Sequence, residues 1–196
     1  MDVHDLIPDT LARIADSLGN QPDAVWDQPS LCTGWRVREV VAHVTMPARM
    51  DGDQFAQQMA AMGGDFQRLS DHVAQRDGSL PVGEHLANLR SRRLAAWEPP
   101  GGGAMGALHH AVVHGLDITN AVGLDRACSE EAALVVLDGL TDGGTAQFFG
   151  TDLTGVRLVA VDLGWSWGEG RAVSAPAGEL ISLICHRELP DGRSLR

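Results

Sequence analysis

Three histidines in this chain have the residue type and the spacing needed to bind a single metal ion. His110 and His114 lie four residues apart, so their side chains share one face if the segment is helical. Two imidazoles at this spacing can bind the same ion. His43 lies far upstream, at the edge of an apolar helical stripe with valines at positions 37, 40, 41 and 44, so we expect it to face the protein. The pattern predicts three ligands of one metal on two facing helices.

Each residue around this constellation has more than one interpretation. His43 alone could equally be a hydrogen-bonded core histidine. On a helix His109 would point about 100° away from His110, as a neighbour rather than a ligand. Asp117 could orient a metal-ligating side chain by a hydrogen bond, without touching the metal itself, or it could be an exposed helical carboxylate. Cys32 precedes the His43 helix, where a lowered thiol pKa would make it a nucleophile or a further ligand.

The composition limits the classes of partner. A net charge of -11 and a pI near 5.0 argue against binding to nucleic acid or to an anionic membrane, because both select clustered basic residues. The three cysteines are far apart, which fits a reducing compartment and gives neither a disulfide framework nor a zinc knuckle. No apolar run approaches the roughly 20 residues of a membrane span, and the N-terminal residues do not resemble a signal segment. We therefore expect a cytoplasmic protein without a nucleic-acid or membrane partner.

Helical periodicity predicts four long helices, which is typical of a bundle. Trp26 and Trp35, in the loop before the second helix, are predicted to pack that loop against the bundle, with Trp35 lining a pocket as the alternative. Pro47 is expected to kink the second helix. The four helices are expected at about residues 6–18, 37–62, 82–97 and 104–122, followed by a fifth at about 129–140.

The C-terminal part of the chain has a different pattern. Residues 156–162 are β-branched and predict a strand, with a hairpin connection at 164–170 and a partner strand at 171–174. Pro176 is expected in the first turn of a helix over 177–185. The predicted fold class is therefore mainly α, with a helical bundle in residues 1–147 and a small α/β C-terminal lobe in residues 148–196.

These segments resemble a known family. Trp26 and the segment Pro29–Val44 are similar to the amino-terminal signature of mycothiol-dependent maleylpyruvate isomerase-like proteins, which belong to the DinB-like superfamily of metal-binding four-helix bundles. The segment His110–Asp117 resembles the second ligand segment of that family, and Val156–Arg187 resembles its small α/β lobe. The similarity is weakest between residues 50 and 100.

The resemblance implies a divalent metal, zinc first and nickel as the alternative, held by one histidine of the second helix and two ligands of a later helix. Those positions match His43, His110 and His114. The isomerase itself is expected to have a glutamate where this chain has His110, whereas other DinB-like proteins use three histidines. Arg187 matches an arginine that the family places near the site, which implies a catalytic role as a carboxylate anchor. Here Cys185 precedes it in a segment where the family more often has glycine.

Three protein ligands would leave a zinc ion one position for substrate or water, as in catalytic zinc sites. The resemblance implies a metal-dependent enzyme that uses mycothiol, as an isomerase or a thiol S-transferase acting on a small electrophilic substrate. Two alternatives stay open at this point. One is a hydrolase with a metal-bound water, and the other is a noncatalytic metal- or ligand-binding module, which a closed fourth position from Cys32 would favour. The substrate and the oligomeric state cannot be inferred from the sequence.

Overall fold

The chain folds into a helical bundle with a small sheet near its C-terminal end, in a computed structural model that describes residues 2–142 and 144–195. The mainly α fold class with a small C-terminal α/β lobe is confirmed. Within the described residues, no helix combines the length and the apolar composition that crossing a bilayer requires. The α-helices are α1 Val3–Gly19, α2 Asp23–Trp26, α3 Val37–Val44, α4 Met46–Arg49, α5 Gly52–Ala61, α6 Phe66–Asp77, α7 Val82–Leu89, α8 Arg92–Ala95, α9 Gly103–Val122, α10 Glu130–Thr141 and α11 Ala177–Ile184. A 3-10 helix spans Thr145–Phe149, and the strands are β1 Val156–Ala160, β2 Trp165–Trp167 and β3 Arg171–Ala175.

Helix α9 is the central element, because α1, α3, α10 and α11 all pack against it. Its sequence is apolar on most sides, which suits a helix surrounded by others. Gly115 allows α1 to approach closely, since a Cβ atom there would lie 2.9 Å from Cδ1 of Ile14. The helix ends at Gly123, whose φ of 70° is the left-handed conformation that glycine adopts without steric cost. The histidines of α9 are thus held on a buried, well-packed element.

The second predicted helix is wrong in extent, because the structure divides it into α3, α4 and α5. Pro47 follows the end of α3, and the chain then breaks before α5. Asp51 caps α5: its carboxylate accepts a hydrogen bond from the backbone N of Gln54 at 2.8 Å, and the Gln54 side chain accepts from the backbone N of Asp51 at 2.9 Å. This reciprocal cap stabilises a new helix start where the apolar periodicity suggested continuity.

Two further helix boundaries also follow from caps. Helix α6 was not predicted; the Asp65 carboxylate accepts from the backbone N of Arg68 at 3.1 Å and fixes its start. The predicted helix over residues 82–97 is divided into α7 and α8, because Ser91 caps α8 by accepting from the backbone N of Leu94. Polar caps therefore outweigh apolar periodicity between residues 50 and 97.

The sheet has the strand order β2-β1-β3. The predicted strand at 171–174 exists as β3, but it pairs with β1 in parallel, and the predicted hairpin connection contains β2, the antiparallel partner of β1. The indole nitrogen of Trp165 donates to Asp138 of α10 at 2.8 Å, and that of Trp167 donates to the C-cap residue Asp142 at 2.6 Å, so that both contacts hold β2 against the bundle. Pro176 is the N-cap residue of α11 rather than part of its first turn.

The C-terminal lobe shares an apolar core with the bundle. Buried side chains of β1 and α11 belong to the same cluster as those of α1 and α9. Asn120 of α9 donates to the backbone O of Gly178 at 3.1 Å and to Oγ of Ser182 at 2.9 Å. The expected division between residues 147 and 148 falls inside the 3-10 helix, and the two-unit division stays a prediction.

His85 is a buried titratable side chain of the bundle. It is fully buried in α7 and stacks on Trp26, with ring centroids 5.5 Å apart and an interplanar angle of 22°. Trp26 is itself fully buried, as expected of a packing residue. Burial lowers the pKa of His85 to about 4, so the ring is neutral at neutral pH.

Replacing His85 by leucine should flatten the pH dependence of stability. The pKa of an unfolded histidine is about 6.5, so between that pH and the folded value the unfolded chain binds a proton that the folded chain excludes. Stability is therefore lost as pH falls through this window, by up to about 1.4 kcal/mol per pH unit. In urea denaturation of metal-free protein, His85→Leu should lose less stability on acidification than wild type. If the unfolding free energies of wild type and His85→Leu fell equally with decreasing pH, His85 would not be a source of the acid sensitivity.

Candidate metal centre

The three sequence-predicted histidines meet between α3 and α9. His43 is the penultimate residue of α3 and is buried, with 6 % of its surface exposed. His110 and His114 lie one turn apart on α9 and are half-buried. The start of α3 is fixed by Glu39, whose carboxylate accepts from the backbone N of Arg36 at 2.7 Å. Two helices therefore present the three imidazoles to one another.

The rings converge closely. Nε2 of His43 and Nε2 of His110 are 3.1 Å apart. The ring centroids are 5.0 Å apart for His43 and His110, 4.8 Å for His43 and His114, and 4.9 Å for His110 and His114. One nitrogen of each ring lies within 4.8 Å of the other two. The structure thus brings the three residues together, and their role as ligands stays a prediction.

The chemistry of this cluster fits a transition metal such as zinc. Burial, and then the charge of His114, lowers the pKa of His43 to about 3. Burial, and then the charges of His114 and His43, lowers the pKa of His110 well below its usual value. Both rings therefore offer neutral lone pairs, the form in which imidazole binds a metal. Bonds of about 2.0–2.1 Å in a tetrahedral site place ligand nitrogens about 3.3 Å apart. The observed separation of the two Nε2 atoms is close to that value.

Asp117 is a buried carboxylate behind His114. Its Oδ2 atom lies 2.9 Å from Nδ1 of His114. Burial alone would raise the pKa of the Asp117 carboxyl, but hydrogen bonds from His114 and Arg187 outweigh it and hold that pKa below its usual range. Because the carboxylate is ionised, Nδ1 of His114 must be the donor, so Nε2 is the nitrogen of this ring that a metal could bind. The interpretation of Asp117 as an exposed helical carboxylate is wrong, because its side chain is fully buried and bonded to His114.

Arg187 reaches this carboxylate from beyond the end of α11. Its Nε and Nη2 atoms donate to the two oxygens of Asp117 at 2.8 and 3.0 Å, and Nη1 donates to the backbone O of Cys185 at 3.3 Å. The bidentate pair is buried on the carboxylate side, where Asp117 is fully inaccessible. Arg187 thus lies near the site, but its guanidinium is engaged by Asp117. Its catalytic role stays a prediction.

Cys32 lies on the same side of His114 as Asp117. Its Sγ atom donates to Oδ2 of Asp117 at 3.0 Å and lies 3.8 Å from Nδ1 of His114. The interpretation in which Cys32 has a lowered pKa is wrong, because burial and then the charge of Asp117 raise the pKa of this thiol. Cys32, His114 and Asp117 form a second group within ligand distance. Their hydrogen bonds account for this proximity.

Aromatic rings cover the other sides of the histidines. Trp35 lies 5.1 Å from His43, Phe66 lies 6.4 Å from His43, and Trp97 lies 5.4 Å from His110, measured between ring centroids. Of these three rings, only Trp35 was considered as a pocket residue in the sequence analysis, and there as the alternative to a packing role. Phe66 and Trp97 were missed as site residues; the Asp65 cap before Phe66 was the available signal for its helix.

His109 is a neighbour rather than a ligand, as expected. Its ring lies against α10 at Gly139, where a Cβ atom would come within 2.5 Å of Nε2 of His109. Gly139 therefore provides the space that the His109 ring occupies. The ring does not belong to the cluster of three histidines.

Residues 7–97 match the family model described as the mycothiol maleylpyruvate isomerase N-terminal domain, and this range includes His43. The match supports the resemblance of the chain to mycothiol-dependent maleylpyruvate isomerase-like proteins. The chain is also similar to crystal structures of the mycothiol-dependent maleylpyruvate isomerase and of a histidine-to-alanine mutant of it. The TM-scores are 0.55 and 0.54 and the identities 15 % and 14 %, over 97 % of this chain and 92 % of each structure. At this identity the likeness shows the fold, which is DinB-like. No curated protein sequence matches the chain significantly.

Two arginine–aspartate pairs should differ strongly in their contribution to stability. Arg187→Met would leave the fully buried Asp117 without its cation, which should cost about 3–5 kcal/mol of unfolding free energy. Arg126→Met removes a pair with Asp162 in which both side chains are partly exposed, at 21 % and 35 %, and should cost less than about 1 kcal/mol. Urea denaturation of the metal-free proteins measures both. Equal, small losses would contradict the buried role of Arg187.

Proposed function

We propose that this protein is a metal-dependent enzyme that uses a low-molecular-weight thiol, mycothiol, to isomerise or S-conjugate a small electrophilic substrate. The observation that carries the proposal is the convergence of three imidazole rings at the meeting of α3 and α9. The similarity of residues 7–97 to the mycothiol maleylpyruvate isomerase N-terminal domain supports mycothiol as the thiol. The partners are then a small thiol and a small electrophile, and a reducing cytoplasm suits both the thiol and the free cysteines.

His43, His110 and His114 would hold the metal, with zinc as the first choice and nickel as the alternative. When bound, a divalent cation would lower the pKa of a thiol and so supply a nucleophile at neutral pH. The position of Cys32 supports an open site, because its thiol donates to Asp117 on the Nδ1 side of His114. That placement argues against the noncatalytic module with a fourth ligand from Cys32.

The other residues of the site would position the ligands. Asp117 accepts from Nδ1 of His114 and fixes the tautomer and the ring orientation. Arg187 neutralises Asp117, so that the carboxylate can stay ionised while buried. We therefore propose Arg187 as a positioning residue that acts through Asp117.

The reaction proposed here conserves all atoms of the thiol and of the substrate. In the addition, the sulfur forms a bond to the electrophilic carbon of a conjugated alkene, the π pair moves toward the activating carbonyl, and the thiol proton ends on the neighbouring carbon. Elimination after rotation about the new single bond releases the thiol and gives cis–trans isomerisation. Retention of the new bond gives a thiol conjugate instead.

A charge-transfer titration tests the proposed function. Addition of mycothiol to cobalt-loaded wild-type protein should produce a thiolate-to-cobalt charge-transfer band. His110→Ala should lose stoichiometric cobalt and the band, because one of three ligands is removed. His109→Ala is the matched control; it changes the adjacent residue of the same helix, whose ring faces α10, and should keep both signals.

The remaining outcomes discriminate the alternatives. Stoichiometric cobalt without a thiol-dependent band would contradict thiol use and favour the hydrolase or the binding module. No stoichiometric metal in the wild type would contradict the three-histidine centre. Loss of cobalt from His109→Ala as well as from His110→Ala would indicate unfolding of α9 rather than loss of a ligand.

A further inference from the structure

A cavity of about 470 Å³ lies between the end of α10, the 3-10 helix and the C-terminal sheet. Cavities of roughly 300–1,000 Å³ that combine apolar walls with a few polar groups are typical sites for small molecules. The side chains that line this one and matter for its chemistry include Leu140, Thr141, Ala146, Thr151 and Trp167. Among the described residues of its lining, none belongs to the histidine cluster.

The side-chain donors of the cavity are engaged within the protein. The hydroxyls of Thr141 and Thr151, both buried, donate to backbone carbonyls at 2.8 and 2.7 Å. The indole nitrogen of Trp167 donates to Asp142 at 2.6 Å. Towards a ligand, each hydroxyl can therefore only accept a hydrogen bond, and the Trp167 ring can offer its π face.

The backbone N–H groups of the lining follow the same pattern. Five of them donate to oxygen atoms within residues 141–154: those of Gly144, Gln147, Gly150, Thr151 and Thr154. Of the described side chains in the lining, Gln147 supplies the amide donor that is left. The cavity thus presents more acceptors than donors, which suits a ligand that brings N–H groups of its own.

Asp152 gives the cavity a negative charge. Hydrogen bonds from Thr154, first from its side chain and then from its backbone N, lower the pKa of the Asp152 carboxyl, so this group is ionised at neutral pH. Among the described residues that line the cavity, none is basic. The charge of the lining therefore favours a cation.

Two exposed arginines of the sheet lie outside the cavity. Arg157 alternates with the buried Leu158 along β1, so its side chain is on the face of the sheet opposite to Leu158 and to Trp167, the partner of Leu158. Arg171 is in β3, and β1 separates that strand from β2. Within residues 2–142 and 144–195, Asp152 forms no ion pair. Its charge is therefore not cancelled by a guanidinium.

We propose that this cavity is a second ligand site, which binds a small organic ammonium ion through the π face of Trp167 and the hydroxyl and carboxylate oxygens of its lining. Tryptophan is the side chain whose ring attracts a cation most strongly. The ammonium N–H groups supply the donors that the lining lacks, Asp152 supplies the opposite charge, and the carbon part of the ligand packs on Leu140 and Ala146. The inference is independent of the proposed function, because it concerns a different set of residues.

Nitrogen-15 NMR of the tryptophan indole groups tests the affinity and the location of the site together. The probe is 2-phenylethylammonium, with 2-phenylethanol and 3-phenylpropanoate as neutral and anionic counterparts of similar shape. The ammonium ion should shift the indole signal of Trp167 in a saturable manner, with a Kd at least about five-fold lower than that of the alcohol. The signals of Trp35 and Trp97, whose rings lie beside the histidines, should not move. Protein with and without zinc should give the same result.

Substitution of Asp152 tests the charge with little risk to folding. Asp152 is exposed, and an amide oxygen at this position can keep the hydrogen bond from the backbone N of Thr154. Asp152→Asn should raise the Kd of the ammonium ion by about two- to five-fold and leave that of the alcohol unchanged. Asp191→Asn is the matched control, because Asp191 is also exposed and also accepts from the backbone N two residues later, at 3.0 Å. The control should leave both constants unchanged.

Several outcomes would overturn the inference. Absence of a saturable Trp167 shift would contradict the site, and shifts of Trp35 or Trp97 alone would move the ammonium ion to the histidines. Equal or tighter binding of the alcohol or the carboxylate at Trp167 would contradict the preference for a cation. Equal effects of the two aspartate substitutions would indicate a response to net charge rather than to Asp152. The charge-transfer titration with mycothiol is unaffected by any of these results, so the failure of one proposal is distinguishable from the failure of the other.

Discussion

The buried carboxylate of Asp117 is the interaction on which the rest of the site depends. Its Oδ2 atom accepts from Nδ1 of His114, and both of its oxygens accept from Arg187. Its backbone O accepts from the backbone N of Leu31 at 2.9 Å, which holds the loop that contains Cys32 against α9. A single residue therefore joins the bundle, the loop before α3 and the C-terminal lobe. An ionised group in this position requires the guanidinium, because an isolated buried charge is very unfavourable.

This arrangement has an electrostatic consequence for the centre. Arg187 cancels the charge of Asp117, and the low pKa values of His43 and His110 keep those rings neutral. If the three imidazoles hold a divalent cation, no carboxylate ligand reduces its double charge. In the isomerase of the family, a glutamate is expected at the position of His110 and would reduce it. We expect such a centre to polarise a thiol or a neutral electrophile more strongly.

The sequence predicted the parts of the site that depend on local spacing. The separation of His110 and His114, together with the resemblance to a metal-binding family, predicted that these residues meet with His43. The interactions that were missed connect distant parts of the chain: Arg187 with Asp117, and Phe66 with His43. No periodicity within one helix contains such information.

The fold shows the same division between local and long-range information. The mainly α class, the bundle and the small lobe followed from periodicity and β-branched segments. The second helix was predicted too long because the reciprocal cap of Asp51 and Gln54 lies within a segment of continuous apolar periodicity. Strands β1 and β3 were predicted to form a hairpin. In the structure β2 is the antiparallel partner of β1, and β3, which comes later in the chain, pairs with β1 in parallel. Strand order depends on contacts with α10 and α11 that the strand sequences do not encode.

Anomalous diffraction from crystals of the zinc-loaded protein, recorded on both sides of the zinc absorption edge, tests the central claim most directly. The account predicts one anomalous peak per chain, about 2.0–2.1 Å from one nitrogen of each of His43, His110 and His114, with Asp117 and Cys32 outside bonding distance. A peak bound by Cys32 and Asp117, or no peak between α3 and α9, would contradict it.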